Sequence, residues 1–302
     1  MLKARSEFLK SIRTFFDKRG VIEVDTPVLM RGVNTDPFIH AFQCQERFLQ
    51  TSPEFAMKRL LSEHPIPMYY LGKAFRQEEC GRFHNPEFTM LEWYRPEWDH
   101  HRLIAEVVDL FQTLIQAPSP EIKTYQELFA PLDILPHTLN LDTLRQKALV
   151  LQPEEKMLID LDLSGLLDWL FMTEIESRFD PHQLMIVTEF PKAQAQLAKC
   201  VQDREGNWVG ARFEVYYQGC ELANGYFELT DAKEQRKRFE LDNARRQAHG
   251  LHKMPIDHAL LAALEKGLPQ MSGVAVGVDR LLMIKMGAQH IQEVLPFYWT
   301  QS

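Results

Sequence analysis

The sequence predicts an α+β fold, and three stretches carry that expectation. Leu71 to Pro96 reads as an apolar run, a charged loop and a second apolar run that returns from it, the pattern of strand, long loop, strand. Arg212 to Leu229 repeats the arrangement around a Gln218-Gly219 turn. Residues 2 to 19 set Leu2, Leu9, Ile12, Phe15 and Phe16 at helical spacing, and Leu103 to Gln116 shows the same period.

At 302 residues with 45% hydrophobic side chains, the chain is long enough for one large or two small domains with a sizeable core. Cys44, Cys80, Cys200 and Cys220 are scattered without a CxxC pair, which argues against a zinc site or a disulfide framework and for a reducing cytoplasm. A formal charge of −8 disfavours a broad nucleic-acid footprint. No apolar run reaches the length of a membrane span, and Lys3 to Arg19 carries charges throughout, so neither a membrane segment nor a targeting segment is expected.

Taken in order, the first helix ends at Gly20, before a short β-rich run, Val21 to Val24. Its apolar stripe either packs on its own domain or faces a second copy of the chain. Asn34 to Gln50 reads as a β-hairpin region. Thr51 or Ser52 then caps a helix with Pro53 in its first turn, which puts Glu54 where a carboxylate complements the helix dipole or meets a ligand.

On the returning strand Phe88, Met90, Glu92 and Tyr94 share one face, and Thr89, Leu91, Trp93 and Arg95 the other. The loop before it carries Arg76, Glu78, Glu79, Arg82 and His84, more charge than a simple connection needs. Residues 121 to 185 hold several helical patterns punctuated by Pro131, Pro136, Pro153 and Pro181, one of them from Leu158 to Phe179; they read as a helical insertion over about 117–185. Leu184 to Phe190 is a strand. Beyond it Glu214 and Tyr216 share a face, as do Asn224, Tyr226 and Glu228. Glu221 lies three residues before Asn224, and a bulge near Asn224-Gly225 is expected to bring both inward. Asp231 to Gly250 is a highly charged helix, and Gly273 to Val278 a small-residue strand leading through Asp279 and Arg280 into a helix over Leu281 to Met286.

Four of these stretches together resemble the class II lysyl-tRNA synthetases. FRQE and HNPEFTMLEWY are similar to their second signature motif, EVDTP at Glu23 to Pro27 to the first, and GVAVGVDR at Gly273 to Arg280 to the third. FEVYYQGCELANGYFELTDA is similar to their metal- and lysine-binding strand. Those synthetases carry an anticodon-binding module ahead of the first motif, for which this chain has no room. FPKAQAQLA, from Phe190 to Ala198, is closer to the family's truncated paralogues that ligate lysine to translation elongation factor P.

The resemblance implies one catalytic domain over residues 1–302, an antiparallel sheet flanked by helices, ATP on its open face, and a homodimer joined through the first helix and strand. Its chemistry aligns two anions, the amino acid carboxylate and the α-phosphate, and stabilises the growing phosphate charge without a protein nucleophile. Catalysis then falls to Arg76, bridging α-phosphate and substrate carboxylate, and to Arg280. Glu78 would read the adenine amino group, Phe88 stack on adenine, and His84, Asn85 and Gly277 complete the nucleotide contacts. Glu214 and Glu221 would hold Mg2+.

Glu92, Glu228 and Tyr94 match the residues that hold the distal ammonium of lysine; Glu54, Asn224 and Tyr226 match others of the amino acid site. Three acids imply a dicationic, lysine-like substrate, because an ammonium removed from water needs anionic partners. Two departures stand out. Phe83 replaces a basic residue where tRNA would approach, and Ala275 replaces a glycine on the pocket floor, an added methyl that suits a shifted β-amino group. The implied activity is ATP-dependent activation of (R)-β-lysine, or lysine, and transfer to a lysine of elongation factor P, with no tRNA partner. A tRNA-charging catalytic core and an inactive amino-acid-sensing paralogue are the alternatives.

Overall fold

The computed structural model describes residues 1–77 and 79–301. It divides into two compact units, one made of Met1–Ala117 and the chain from Glu228 onward, the other of Pro118–Phe227. The architecture is α+β, with largely antiparallel strands.

In the first unit, helix α1 (Leu2–Asp17) buries Phe8, Ile12, Phe15 and Phe16. Strand β1 (Ile22–Glu23) follows, and a small sheet is built from β2 (Leu29–Met30), β3 (Gln43–Cys44) and β4 (Arg47–Leu49) in the order β2-β4-β3. Helix α2 (Glu54–Glu63) begins a residue later than the sequence predicts: Pro53, expected in the first turn, holds the N-cap position, and Ser52 Oγ accepts the Glu54 N–H at 3.0 Å from just before it. Strands β5 (Met68–Phe75) and β6 (Glu87–Pro96) pair antiparallel from Met68 opposite Tyr94 to Phe75 opposite Glu87.

The β6 alternation is realised in its partners. Trp93 packs edge-on against Phe16 and donates to Glu106, and Arg95 pairs with the same carboxylate, so the odd-numbered side chains face helices. Glu106 lies on the buried stripe of α3 (His100–Ile115), a helix capped by Asp99, whose Oδ1 accepts the Arg102 N–H at 2.8 Å.

The second unit opens with β7 (Pro120–Thr124) and α4 (Tyr125–Phe129), joined by a capping box between Thr124 and Glu127. Helices α5 (Leu141–Leu151) and α6 (Leu163–Leu170) follow. The helical stretch read over Leu158 to Phe179 is broken: Asp162 caps α6, and a π turn at Phe171–Ile175 and a 3-10 turn at Glu176–Arg178 succeed it. These helices share a core with the sheet, in which Tyr125 stacks on Phe129 and Phe171.

Strands β8 (Leu184–Pro191), β9 (Cys200–Gln202), β10 (Trp208–Tyr217) and β11 (Cys220–Phe227) complete the unit, in the order β11-β10-β8-β7 with β9 on β10. β10 and β11 are joined by two residues of positive φ, Gln218 at 52° and Gly219 at 70°, the handedness that suits a tight hairpin.

The chain then returns to the first unit. Helix α7 (Ala232–Ala248) is capped by Asp231, whose Oδ1 accepts from the N–H groups of Lys233 and Glu234, and α8 (His258–Lys266) follows. Strand β12 (Met271–Gly277) pairs antiparallel with β6, setting Gly273 opposite Tyr94 and Ala275 opposite Glu92. It leads directly into α9 (Val278–Met286). The first unit's sheet therefore runs β1-β5-β6-β12, with β1 parallel to β5.

Candidate active site

The first unit gathers an acidic pocket from four segments. Glu92 and Tyr94 come from β6, Glu54 and Lys58 from α2, Glu228 from the segment returning to this unit, and Gly273 and Ala275 from β12. Glu92 is 3% exposed; its Oε1 accepts from the Tyr94 hydroxyl and its Oε2 from Ser52 Oγ, each at 2.7 Å. Ser52 thus serves both the start of α2 and the pocket. Among the described residues no lysine or arginine pairs with Glu92. Burial, with the charges of Glu54 and Glu228 added, pushes its carboxyl up to about 8.

Lys58, 1% exposed, sets its Nζ 2.6 Å from both Glu54 Oε1 and Glu228 Oε2. At Glu228 Oε2 the contact is an ion pair without hydrogen-bond geometry. Burial raises the Glu228 carboxyl to about 7, although Lys58 and the Gly273 N–H pull the other way. Gly273 belongs under this cluster for a steric reason: a Cβ there would overlap the Tyr94 ring and lie 2.7 Å from Glu228 Oε1.

At the opposite end of β6, Arg76 donates to the Thr51 carbonyl at 3.3 Å and to Glu79 at 3.4 Å, with its guanidinium 5.3 Å from the Phe88 ring centroid. Arg280 donates to the Phe83 carbonyl at 3.2 Å and meets His84 Nε2. Burial and that guanidinium depress the His84 pKa, so the ring stays neutral and accepts. Asn85 is committed to the fold: its amide donates to the Glu87 carbonyl at 2.7 Å and accepts the Trp299 N–H at 3.0 Å. Gly277 is the N-cap of α9, where a Cβ would lie 3.3 Å from Arg280 Cδ. Glu78 lies outside the described residues.

Behind this end, Asp279 accepts from Arg5 at 2.7 Å and from the Thr89 N–H at 2.7 Å, while Arg5 also donates to Thr89 Oγ1 at 2.6 Å. A buried arginine of α1 therefore ties the β6 residue next to Phe88 to the α9 residue next to Arg280.

In the second unit the β10–β11 ladder shifts register between Val215 and Tyr216, with Val215 opposite Ala223 and Tyr216 opposite Glu221. The extra residue is Leu222, so the irregularity falls short of the expected Asn224-Gly225 position, yet it has the expected effect. Because Asn224 faces Glu214 and Glu221 faces Tyr216, these four share one side of the hairpin with Arg212 and Tyr226. Glu214 accepts from the Arg212 guanidinium and from the Tyr216 hydroxyl. Arg212 also donates to Asn224 Oδ1 at 3.3 Å, and the Tyr226 hydroxyl donates to Gln196 at 2.6 Å.

Among the described residues no three His, Cys, Asp or Glu side chains converge as a metal cage. The donor set nevertheless fits Mg2+, which binds through one or two carboxylates and completes its shell with phosphate and water. Glu214 and Glu221 offer such a pair on one face, and the Tyr216 hydroxyl between them has its pKa raised by burial first and by both carboxylates after it.

Sequence reasoning missed Lys58, Ser52, Arg212 and the Arg5–Asp279 link. Lys58 had a local signal, the i,i+4 spacing from Glu54. Arg212 sits two residues before Glu214 on one face of β10. Arg5 had none.

A mixed sheet with an acidic pocket at one end and converging arginines at the other defines a class of adenylate-forming enzyme. A family model for class II tRNA synthetases (D, K and N) matches residues 1–301, and the chain belongs to that family. Within it, the chain is similar to proteins named elongation factor P–(R)-β-lysine ligase. That of Edwardsiella ictaluri is 46% identical over 98% of this chain and 94% of its own. Those of Proteus mirabilis and Photorhabdus laumondii are 44% and 43% identical, over 98% and 100% of this chain and 94% and 95% of theirs.

Proposed function

We propose that the chain is an ATP-dependent ligase that activates (R)-β-lysine, or lysine, as its adenylate and transfers it to a lysine side chain of translation elongation factor P. The observation that carries the reading is Glu92, a buried carboxyl with two hydroxyl donors and, among the described residues, no cation. A buried anion of that kind calls for a cationic ligand. Glu92, Glu228 and Tyr94 receive the distal ammonium, with Glu54 and Ala275 of the same unit beside them; the family resemblance assigns Asn224 and Tyr226 of the second unit to amino acid binding as well. The names of the relatives support the substrate and the acceptor.

In the first step the amino acid carboxylate attacks the α-phosphorus of ATP, and the bond to the β-phosphate breaks to release pyrophosphate. Arg76 neutralises the two anions as they approach, and Arg280, held by His84 and the Phe83 carbonyl, faces the terminal phosphates. Glu214 and Glu221 would hold Mg2+, which would supply charge neutralisation to the phosphates. In the second step a lysine amine of the acceptor attacks the adenylate carbonyl and AMP leaves, with the site needing only to align the amine and exclude water.

A protein rather than tRNA acceptor is supported by the net charge of −8 and by Phe83, half-buried beneath Arg82 in the second-motif loop. We read residues 1–302 as one catalytic domain, a reading supported by the extent of the family match. A homodimer through α1 and β1 would cover Ile22, Val28 and Leu29, 51%, 41% and 40% exposed. The four free cysteines support a cytoplasmic setting; among the described residues no helix is long and apolar enough to cross a membrane.

The test is ATP–pyrophosphate exchange with each lysine isomer, followed by mass spectrometry of elongation factor P. Exchange without tRNA and one added lysine-sized mass on a single lysine are expected. No exchange with either isomer, or efficient tRNA charging, would overturn the assignment.

A further inference from the structure

The pocket acids have a use in the proposed reaction, but Lys58 has none there. An ammonium at 1% exposure is costly to bury, and its described partners are Glu54 and Glu228, two of the carboxylates on which substrate recognition rests. A lysine needed only to fill space on α2 would be better replaced by an apolar side chain. One needed only to neutralise a stray acid would not bridge two of them.

We propose that Lys58 is the resident cation that sets the charge and spacing of the amino acid pocket, fixing Glu54 and Glu228 beside the substrate and leaving Glu92, with Tyr94 and Ser52, as the carboxyl to which a substrate ammonium brings the missing charge. Once the substrate has displaced the Glu92 proton, three carboxylates less one ammonium leave two negative charges, the number of ammonium groups on a diamino acid. Without Lys58 the three carboxyls would face one another with no resident cation in a low-dielectric site and would hold their protons more tightly against the substrate. The titratable groups facing the cluster are Glu54 on α2, Glu92 and Tyr94 on β6, Tyr70 on β5 and Glu228; β12 contributes the Gly273 backbone. Lys58 is thus a positioning residue that acts through the carboxylates, and the inference rests on the function proposed above.

The experiment is a double-mutant cycle of Lys58→Met and Glu54→Gln, read by pyrophosphate exchange from pH 6 to 9 and by direct titration with ATP. Lys58→Met should raise KM for the diamino acid about 10- to 100-fold at neutral pH, with a defect that shrinks as pH rises, and leave the Kd for ATP within about twofold. In the Glu54→Gln background the same substitution should cost far less, because one charge of each sign has gone. Equal costs in both backgrounds, or a lowered melting temperature with KM and its pH profile unchanged, would make Lys58 merely structural and overturn the proposal.

If Lys58→Met alone does not fold, the double variant decides: a folded protein with parental ATP affinity supports charge balance, and an unfolded one refutes it. Wild-type exchange with neither isomer would instead sink the proposed function. The charge-setting role is then read in the ligand-free protein by 13C NMR of the Glu92 and Glu228 carboxyls, whose midpoints should rise by about one pH unit or more in Lys58→Met. Unmoved midpoints would refute it.

Discussion

Glu92 and Glu214 are both buried carboxylates on antiparallel strands, each accepting from a tyrosine two residues further along its strand. Their second partners differ. Glu214 has the Arg212 guanidinium, itself buried and held charged by that carboxylate, so the pair is neutral before any ligand arrives. Glu92 has only the Ser52 hydroxyl, and burial among other acids lifts it to about 8. The contrast shows how one local pattern serves two purposes. A carboxylate neutralised in advance can add a metal-bound phosphate without reorganising, whereas one left with hydroxyls alone is a receptor for a cation.

The strongest way to break that comparison is substitution. Glu92→Gln keeps the volume and one of the two accepted hydrogen bonds, with the other hydroxyl turning to accept from the amide, and removes the charge; it should cost about 2–5 kcal/mol of amino acid binding with little change for ATP. The ligand-free variant should also melt higher than the parent once pH exceeds about 8, where the parent's Glu92 is ionised and buried with no cation among the described residues. Glu214→Gln should do the reverse, raising the Mg2+ concentration required for exchange and sparing lysine affinity. Calorimetric titration of both variants with both ligands checks this, and equal losses would erase the distinction.

Proton linkage gives a second, smaller signal. Below about 8 the free Glu92 carboxyl is protonated, and an ammonium must displace that proton to bind. Affinity should therefore improve as pH rises toward 8, by up to about tenfold per unit, and decline once the substrate amine itself deprotonates. The sign for folding is opposite. A carboxyl whose folded pKa is raised binds more protons in the native state between its unfolded value near 4.5 and about 8, so ligand-free stability falls with rising pH across that window. Melting curves with and without the amino acid should diverge as pH increases.

The smallest effect concerns Ala275, directly opposite Glu92 in the ladder. Ala275→Gly should shift the kcat/KM ratio toward α-lysine by about 1–3 kcal/mol, the reach of one methyl-sized contact. An unchanged ratio in exchange assays with the two isomers would place isomer selection elsewhere.

What was legible in the sequence is what local period dictates. The β6 alternation separated Trp93 and Arg95 from Glu92 and Tyr94, and the charged run from Asp231 marked where α7 begins, whereas the N-cap of α2 falls on Pro53, beyond the Thr51 or Ser52 that the sequence offers. The bulge was foreseen from a parity argument, but parity does not say which residue is extra, and the ladder chose Leu222. The resemblance assigns Asn85 to the nucleotide, and the structure adds what the sequence does not show, its hydrogen bonds to the Glu87 carbonyl and the Trp299 N–H. Lys58 and Glu228 meet only after the chain has left the first unit and come back, a closure that no local pattern encodes.

The Arg5–Asp279 pair has a consequence for how this protein is made. Its partners stand 274 residues apart, so during synthesis α1 emerges long before the carboxylate that receives its guanidinium. Docking α1 early would bury an uncompensated cation at a cost of about 3–5 kcal/mol. The amino-terminal helix must therefore wait, apolar stripe exposed, until the third motif has cleared the ribosome. The same contact that steadies the residues beside Phe88 and Arg280 makes the first helix among the last elements able to settle.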